Sequence, residues 1–101
     1  MKNVSVTYLL DSVSNQQAEV FHAYQTNGIW NAAQADPTSA ISQIDMDIVA
    51  FHQVFSVWFH RDLGNAAAQE IAVQYVRRQN QLLEQADAEM KSGKYGRKEE
   101  A

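Results

Sequence analysis

The chain is predicted to be all-helical, an antiparallel bundle of three helices with heptad-like packing, on three observations. The first is a repeat of mostly apolar residues at alternating steps of four and three. It occurs in three separate segments: Val6, Leu10, Val13, Gln17, Val20, Tyr24; Ile41, Ile44, Ile48, Phe51, Phe55, Trp58; and Ala68, Ala72, Tyr75, Gln79, Leu82, Ala86. Steps averaging about 3.5 residues put each set on one stripe of a helix that packs against another helix. The second is punctuation, since turn and cap residues fall between the segments. The third is size: 101 residues that are 46% hydrophobic can bury one core but not two independent ones.

The first predicted helix covers about residues 4–27. Asn27-Gly28 closes it, because glycine reaches the left-handed conformation of a helix C-terminus without steric cost. The second covers about 37–63, with Asp36 as N-cap and Pro37 at the first helical position, where the missing N–H loses nothing. Gly64 stops it and Asn65 caps the third helix, about 65–91. These lengths correspond to roughly 35 to 40 Å at a rise of about 1.5 Å per residue, matched as a bundle requires. The short Gly64-Asn65 connection folds the second and third helices into a hairpin. The longer connection from Gly28 to Asp36 holds Ile29 and Trp30, and this Trp is expected to cover one end of the bundle or to dock to a partner. Residues 92–101 carry neither periodicity nor caps, so they read as a flexible tail beyond a domain of residues 1–91.

Placed at about 100° per step, the outer helices show one apolar face each and the second helix shows two. Its main stripe is widened by Phe59. The other stripe is Met46, Ala50, Val54 and Val57. Either the second helix sits between the other two and uses one stripe for each, or one stripe is left over as the interface of an oligomer. Low surface charge and apolar extras such as Val73 favour the oligomer: only 20% of residues are charged, and 11 Gln, 6 Asn and 14 Ala take their place. The expected interface residues are Met46, Ala50, Val54, Val57, Trp58 and Phe59, with Trp30 from the connection. Gln17 and Gln79 occupy core positions of helices that run parallel in such a bundle. At similar depth, their amides are expected to hydrogen-bond across the seam and set its register at some cost in stability.

Composition excludes several function classes. The net charge of −4 argues against nucleic-acid binding, which needs clustered Lys and Arg. Arg77 with Arg78, and the tail residues Lys91, Lys94, Arg97 and Lys98, come nearest, but Glu99 and Glu100 offset the tail. No cysteine is present, so thiolate chemistry and Cys-based metal sites are absent. The apolar run from Ile44 to Phe59 is interrupted by Asp45, Asp47, His52 and Gln53 and is too short to span a bilayer. The N-terminus lacks the pattern of a secretory signal, which makes the cytoplasm the default compartment, with export by a specialised machinery as the other route.

No segment carries a specific catalytic motif, and no cofactor is implied. Glu19 and His22 form an E-x-x-H, the spacing of di-iron carboxylate helices, with Asp47 or Glu70 as a further carboxylate. Both fall opposite the apolar face of the first helix, and one such match arises easily by chance. Asp45, His52, Ser56 and His60 line the polar wedge of the second helix. Asp45 and His52 are about 10 Å apart along it, too far for a triad. The wedge reads as a solvated edge, or as an interface sensitive to pH near 6. Asp47 lies beside the main stripe and calls for a cation such as Arg77 or Arg78.

The expected function is therefore non-enzymatic, a helical protein-protein interaction or self-assembly subunit whose partner is another protein or a second copy. In composition alone the chain is similar to small helical components of phages and secretion systems. The other readings are a monomeric or dimeric inhibitor or adaptor of a host protein, and a metal-binding helical protein using Glu19 and His22 across an oligomer.

Overall fold

The computed structural model describes residues 6–61 and 66–96, with the side chains of 8–54 and 69–96. The described residues form four helices, α1 (Val6–Thr26), α2 (Trp30–Ala35), α3 (Ala40–Arg61) and α4 (Ala66–Ser92), and contain no strand. Gly64 and Asn65 lie outside the described residues.

α1 follows its stripe: Val13, Gln17 and Tyr24 are buried and Leu10 and Val20 are half-buried. It ends where Gly28 turns left-handed at φ 74. There the amide of Ile29 donates to Tyr24 O (3.0 Å) and that of Gly28 to Gln25 O (3.1 Å), which satisfies carbonyls the helix leaves open. Ile29 and Tyr24 are both buried at this corner, the apolar contact that accompanies such a cap.

The connection predicted as a loop is instead the short helix α2. Asn31, Ala32, Ala33, Gln34 and Ala35 include good helix formers, but six residues do not hold a helix in water alone. Tertiary burial holds this one: Ile29 and Ala33 are buried, and Trp30 meets Phe21 edge to face with centroids 5.1 Å apart.

α3 starts at Ala40, three residues later than predicted, and its N-cap is Ser39 rather than Asp36. Ser39 Oγ accepts from the Ser42 amide at 3.0 Å and donates to Ala33 O at 2.6 Å, linking the cap to α2. Asp36 is engaged in a turn of its own, where Oδ1 accepts from the Thr38 amide (2.9 Å) and hydroxyl (2.7 Å). Asp side chains bond the backbone two residues on in this way, and the bond competes with helix capping.

α4 runs along both α1 and α3, whereas α1 and α3 share little contact with each other, and α2 closes one end mainly against α3. The doubly flanked helix is thus α4, not the second predicted helix. On the helical wheel of α4, Val76 and Leu83 lie to one side of Gln79, and Tyr75 and Leu82 to the other. The small Ala72 and Ala86 sit between, where two neighbours converge, and both are buried. α1 and α4 are parallel, as Gln17 meets Gln79, Tyr24 meets Ala86 and Asn27 meets Met90. α3 is antiparallel to α4: Arg78 pairs with Asp47, Ala40 with Glu89, and Phe51 stacks on Tyr75 with centroids 3.9 Å apart. The molecule measures 54 × 29 × 17 Å, elongated along the helices and thin across them.

The stretch predicted as a free tail is built as far as Gly96. Gly93 at φ 77 ends α4, with its own amide donating to Met90 O and that of Lys94 to Glu89 O. The half-buried Tyr95 then returns to the α2–α3 corner and donates to Asp36 Oδ2 at 2.8 Å. Thr38 holds the Asp36 carboxyl below the usual carboxylate range, and burial with the neighbouring Asp36 pushes the Tyr95 phenol up to about 12. At neutral pH the pair is therefore a phenol donating to a carboxylate. Tyr95→Phe should lower stability by about 1 kcal/mol, a fall of roughly 4–8 °C in thermal unfolding for a domain of this size. An unchanged midpoint would show that the turn holds without the bond. Residues 97–101, including Arg97 and Lys98, lie outside the described residues.

Candidate interaction surface

α3 buries Ile41, Ile44 and Phe51 on one side and turns the second stripe outward. Met46 is 56% exposed, Val49 54% and Val54 46%, and Ala50 between them is also exposed. Burial of an apolar side chain is worth about 1.5–3 kcal/mol, and on this face the described fold leaves that energy largely ungained. Val57, Trp58 and Phe59 lie outside the described side chains. Val49 was absent from the predicted set. It follows Met46 by three residues, and counting an arc rather than a single row would have included it.

The stripe is bordered toward α4 by a polar edge. Arg78 Nε pairs with Asp47 Oδ2, and Arg78 Nη2 donates to Gln43 Oε1 at 3.2 Å. Asp47 thereby has its cation, which is Arg78 and not Arg77. This pair is partly exposed and adds little stability. Its effect is to orient the edge of the stripe. On the far side Asp45 and His52 are exposed, as the solvated-edge reading requires, and Ser56 and His60 lie outside the described side chains.

Trp30 is directed inward. Its ring is half-buried against Phe21, and beside it lies a shallow open cavity of about 250 Å³ lined by Gln25, Gly28, Trp30 and Asn31. Val73 is half-buried rather than exposed.

In the core, Gln17 and Gln79 meet. Gln17 Nε2 donates to Gln79 Oε1 at 2.8 Å and to Tyr75 Oη at 3.3 Å, so two helices share one polar layer. Burial raises the Tyr75 phenol, which stays neutral there. Gln79 Nε2 has no partner among the described residues. An unmet buried donor costs about 1–3 kcal/mol, so the layer stands in the core against its own stability.

Glu19 and His22 are both exposed, and His22 Nε2 lies 3.4 Å from Thr26 Oγ1 on the same helix. The carboxylates considered with them are engaged elsewhere, Asp47 by Arg78 and Glu70 by Gln74. Among the described residues no three His, Asp or Glu side chains are grouped to hold a metal ion, and no helix is long and apolar enough to cross a membrane.

Two residues that hold the start of α3 have no signal in the sequence spacing. Glu89 of α4 accepts from the Ala40 amide at the start of α3 (3.2 Å), and Tyr95 clamps Asp36. They act across 49 and 59 residues of chain, where local spacing carries no signal. No protein-family model matches the chain, and neither a curated protein nor a solved structure matches it.

Proposed function

We propose that this chain is a non-enzymatic interaction subunit: an antiparallel three-helix bundle, cornered by α2, that associates with a protein surface through the outer face of α3. The observation that carries the reading is the exposure of Met46, Val49 and Val54, with Ala50, on one face of a helix whose opposite face fills the core. A sparsely charged sequence favours the same role, because a low density of charge opposes association only weakly. The Gln17–Gln79 layer and the Asp36–Tyr95 clamp tie helices to one another, and the Asp47–Arg78 pair borders the stripe.

The test is the double variant Met46→Glu with Val54→Glu, compared with the parent chain by light scattering over a range of concentrations. The parent should run above monomer mass and the variant should be monomeric with the same far-UV circular dichroism. Two carboxylates placed in an apolar contact resist desolvation, so association should fall at least about 100-fold. Identical association of parent and variant would remove α3 as the contact.

A further inference from the structure

We infer that the occupant of the α3 stripe is the same stripe of a second copy, with the two α3 helices antiparallel about a two-fold axis at Ala50. The inference rests on the interaction-subunit reading and names its partner. The spacing is symmetric about one small residue: Met46 lies four residues before Ala50 and Val54 four residues after it. A two-fold axis through Ala50 sets Met46 against Val54 of the second copy, and Val54 against Met46 of the second copy. The smallest side chain then falls where the two helices come closest, and the distance between helices is set by the side chains at that contact. Contacts related by a two-fold axis must be self-complementary in this way, and a closed pair consumes the patch without leading to open filaments.

Charge decides the direction. α3 carries Asp45 and Asp47 in its first half and no carboxylate from residue 48 to its end at Arg61. Antiparallel pairing sets each acidic half beside the acid-free half of the other copy and opposes the helix dipoles, whereas parallel pairing sets carboxylate on carboxylate. Asp47 is already neutralised by Arg78 on the edge of the same stripe. A foreign partner of strongly basic character would instead be drawn to the chain as a whole, whose net charge is −4, and not to its uncharged stripe.

Size sets the strength. A contact made by one helix face per copy is of the small class, below the roughly 800 Å² per partner of a standard interface, so the dimer is weak and reversible and its association is concentration-dependent.

Cysteine cross-linking tests the geometry, because the chain has no cysteine and an introduced thiol reports only its own position. Ala50→Cys, oxidised by air with copper–phenanthroline at several hundred micromolar protein, should convert mostly to a disulfide-linked dimer on non-reducing gels. Met46→Cys alone should cross-link at least about fivefold less, because antiparallel pairing separates the two residues by about 12 Å along the axis, beyond disulfide reach. Mixing Met46→Cys with Val54→Cys should restore the cross-link. His52→Cys, exposed off the stripe, serves as the collision control, and circular dichroism of each variant confirms the fold. Ala50→Cys linking no better than the His52→Cys control overturns the proposal, as does Met46→Cys linking as well as Ala50→Cys. If light scattering still shows association that Met46→Glu with Val54→Glu abolishes, the interaction-subunit reading stands with another geometry. If the parent chain is monomeric at every concentration, the second copy is excluded and the proposal is overturned.

Discussion

Tyr24→Ala should lower the free energy of unfolding by about 3–5 kcal/mol, read by urea denaturation at constant slope. Tyr24 is 0% exposed and stands at the junction of three parts of the fold. Its ring fills the core where α1 ends, its carbonyl accepts the Ile29 amide that starts the turn to α2, and its hydroxyl donates to Ala86 O at 2.6 Å on α4. A helical carbonyl has two lone pairs, so Ala86 takes this bond in addition to its place in the helix ladder. A domain of this size has about 5–15 kcal/mol of stability in all, so the loss unfolds a large share of the protein at the lower end. Tyr24→Phe keeps the ring and removes only the hydroxyl, and should cost about 1 kcal/mol. The pair of variants separates packing from the bond, and equal losses would put the whole effect in the hydroxyl.

The same residue carries a pH signature. Burial, with Glu89 nearby, raises the Tyr24 phenol well above its ordinary value of 10.0. The folded state thus favours the neutral phenol, and its contribution is whole below pH 10 and declines as pH rises above it, because the unfolded phenol ionises first. Tyr24→Phe should flatten the alkaline limb of the stability profile.

The spacing of apolar residues made α1 and α4 legible to the level of register. Gln17 and Gln79 are 62 positions apart, as are Tyr24 and Ala86, and every member of the first stripe has its counterpart in the third at this separation. Two parallel helices with equal heptads need no other information to align. The order of packing was not legible in the same way. Periodicity reports how wide an apolar arc is, not which neighbour covers it: α3 buries its main stripe and turns its second one outward, whereas the Ala-lined arc of α4 takes both neighbours. Local chemistry misled at Asp36, where an Asx turn and a Ser three residues on competed for the cap, and only the contact of Ser39 with Ala33 O decides it. Tyr95 looked free because its partner is 59 residues away. The candidate surface was legible as a second stripe; that Met46, Val49 and Val54 are exposed required the packing of α3 on α4.

A cycle of Leu substitutions at Gln17 and Gln79 should show that the polar layer sets register and not stability. Gln17→Leu alone removes the one hydrogen-bond partner that Gln79 has among the described residues and leaves a whole amide buried without one, at a cost of about 1–3 kcal/mol. Gln79→Leu alone should cost less, since Gln17 retains Tyr75 and the unpaired Nε2 of Gln79 disappears. Replacing both fills the seam with apolar side chains and should raise stability above the parent by about 1–3 kcal/mol, so the two changes are far from additive. The gain comes with a loss of specificity. With Leu at both positions, a shift of α1 along α4 by one heptad no longer strands an amide, and the energy gap between the native register and its neighbours narrows. Amide resonances of α1 and α4 in the double variant should broaden or double while those of α2 stay sharp. A double variant that is less stable than the parent would mean that the amides are held for their energy, and one that is more stable with a single sharp set of resonances would place the control of register elsewhere in the seam.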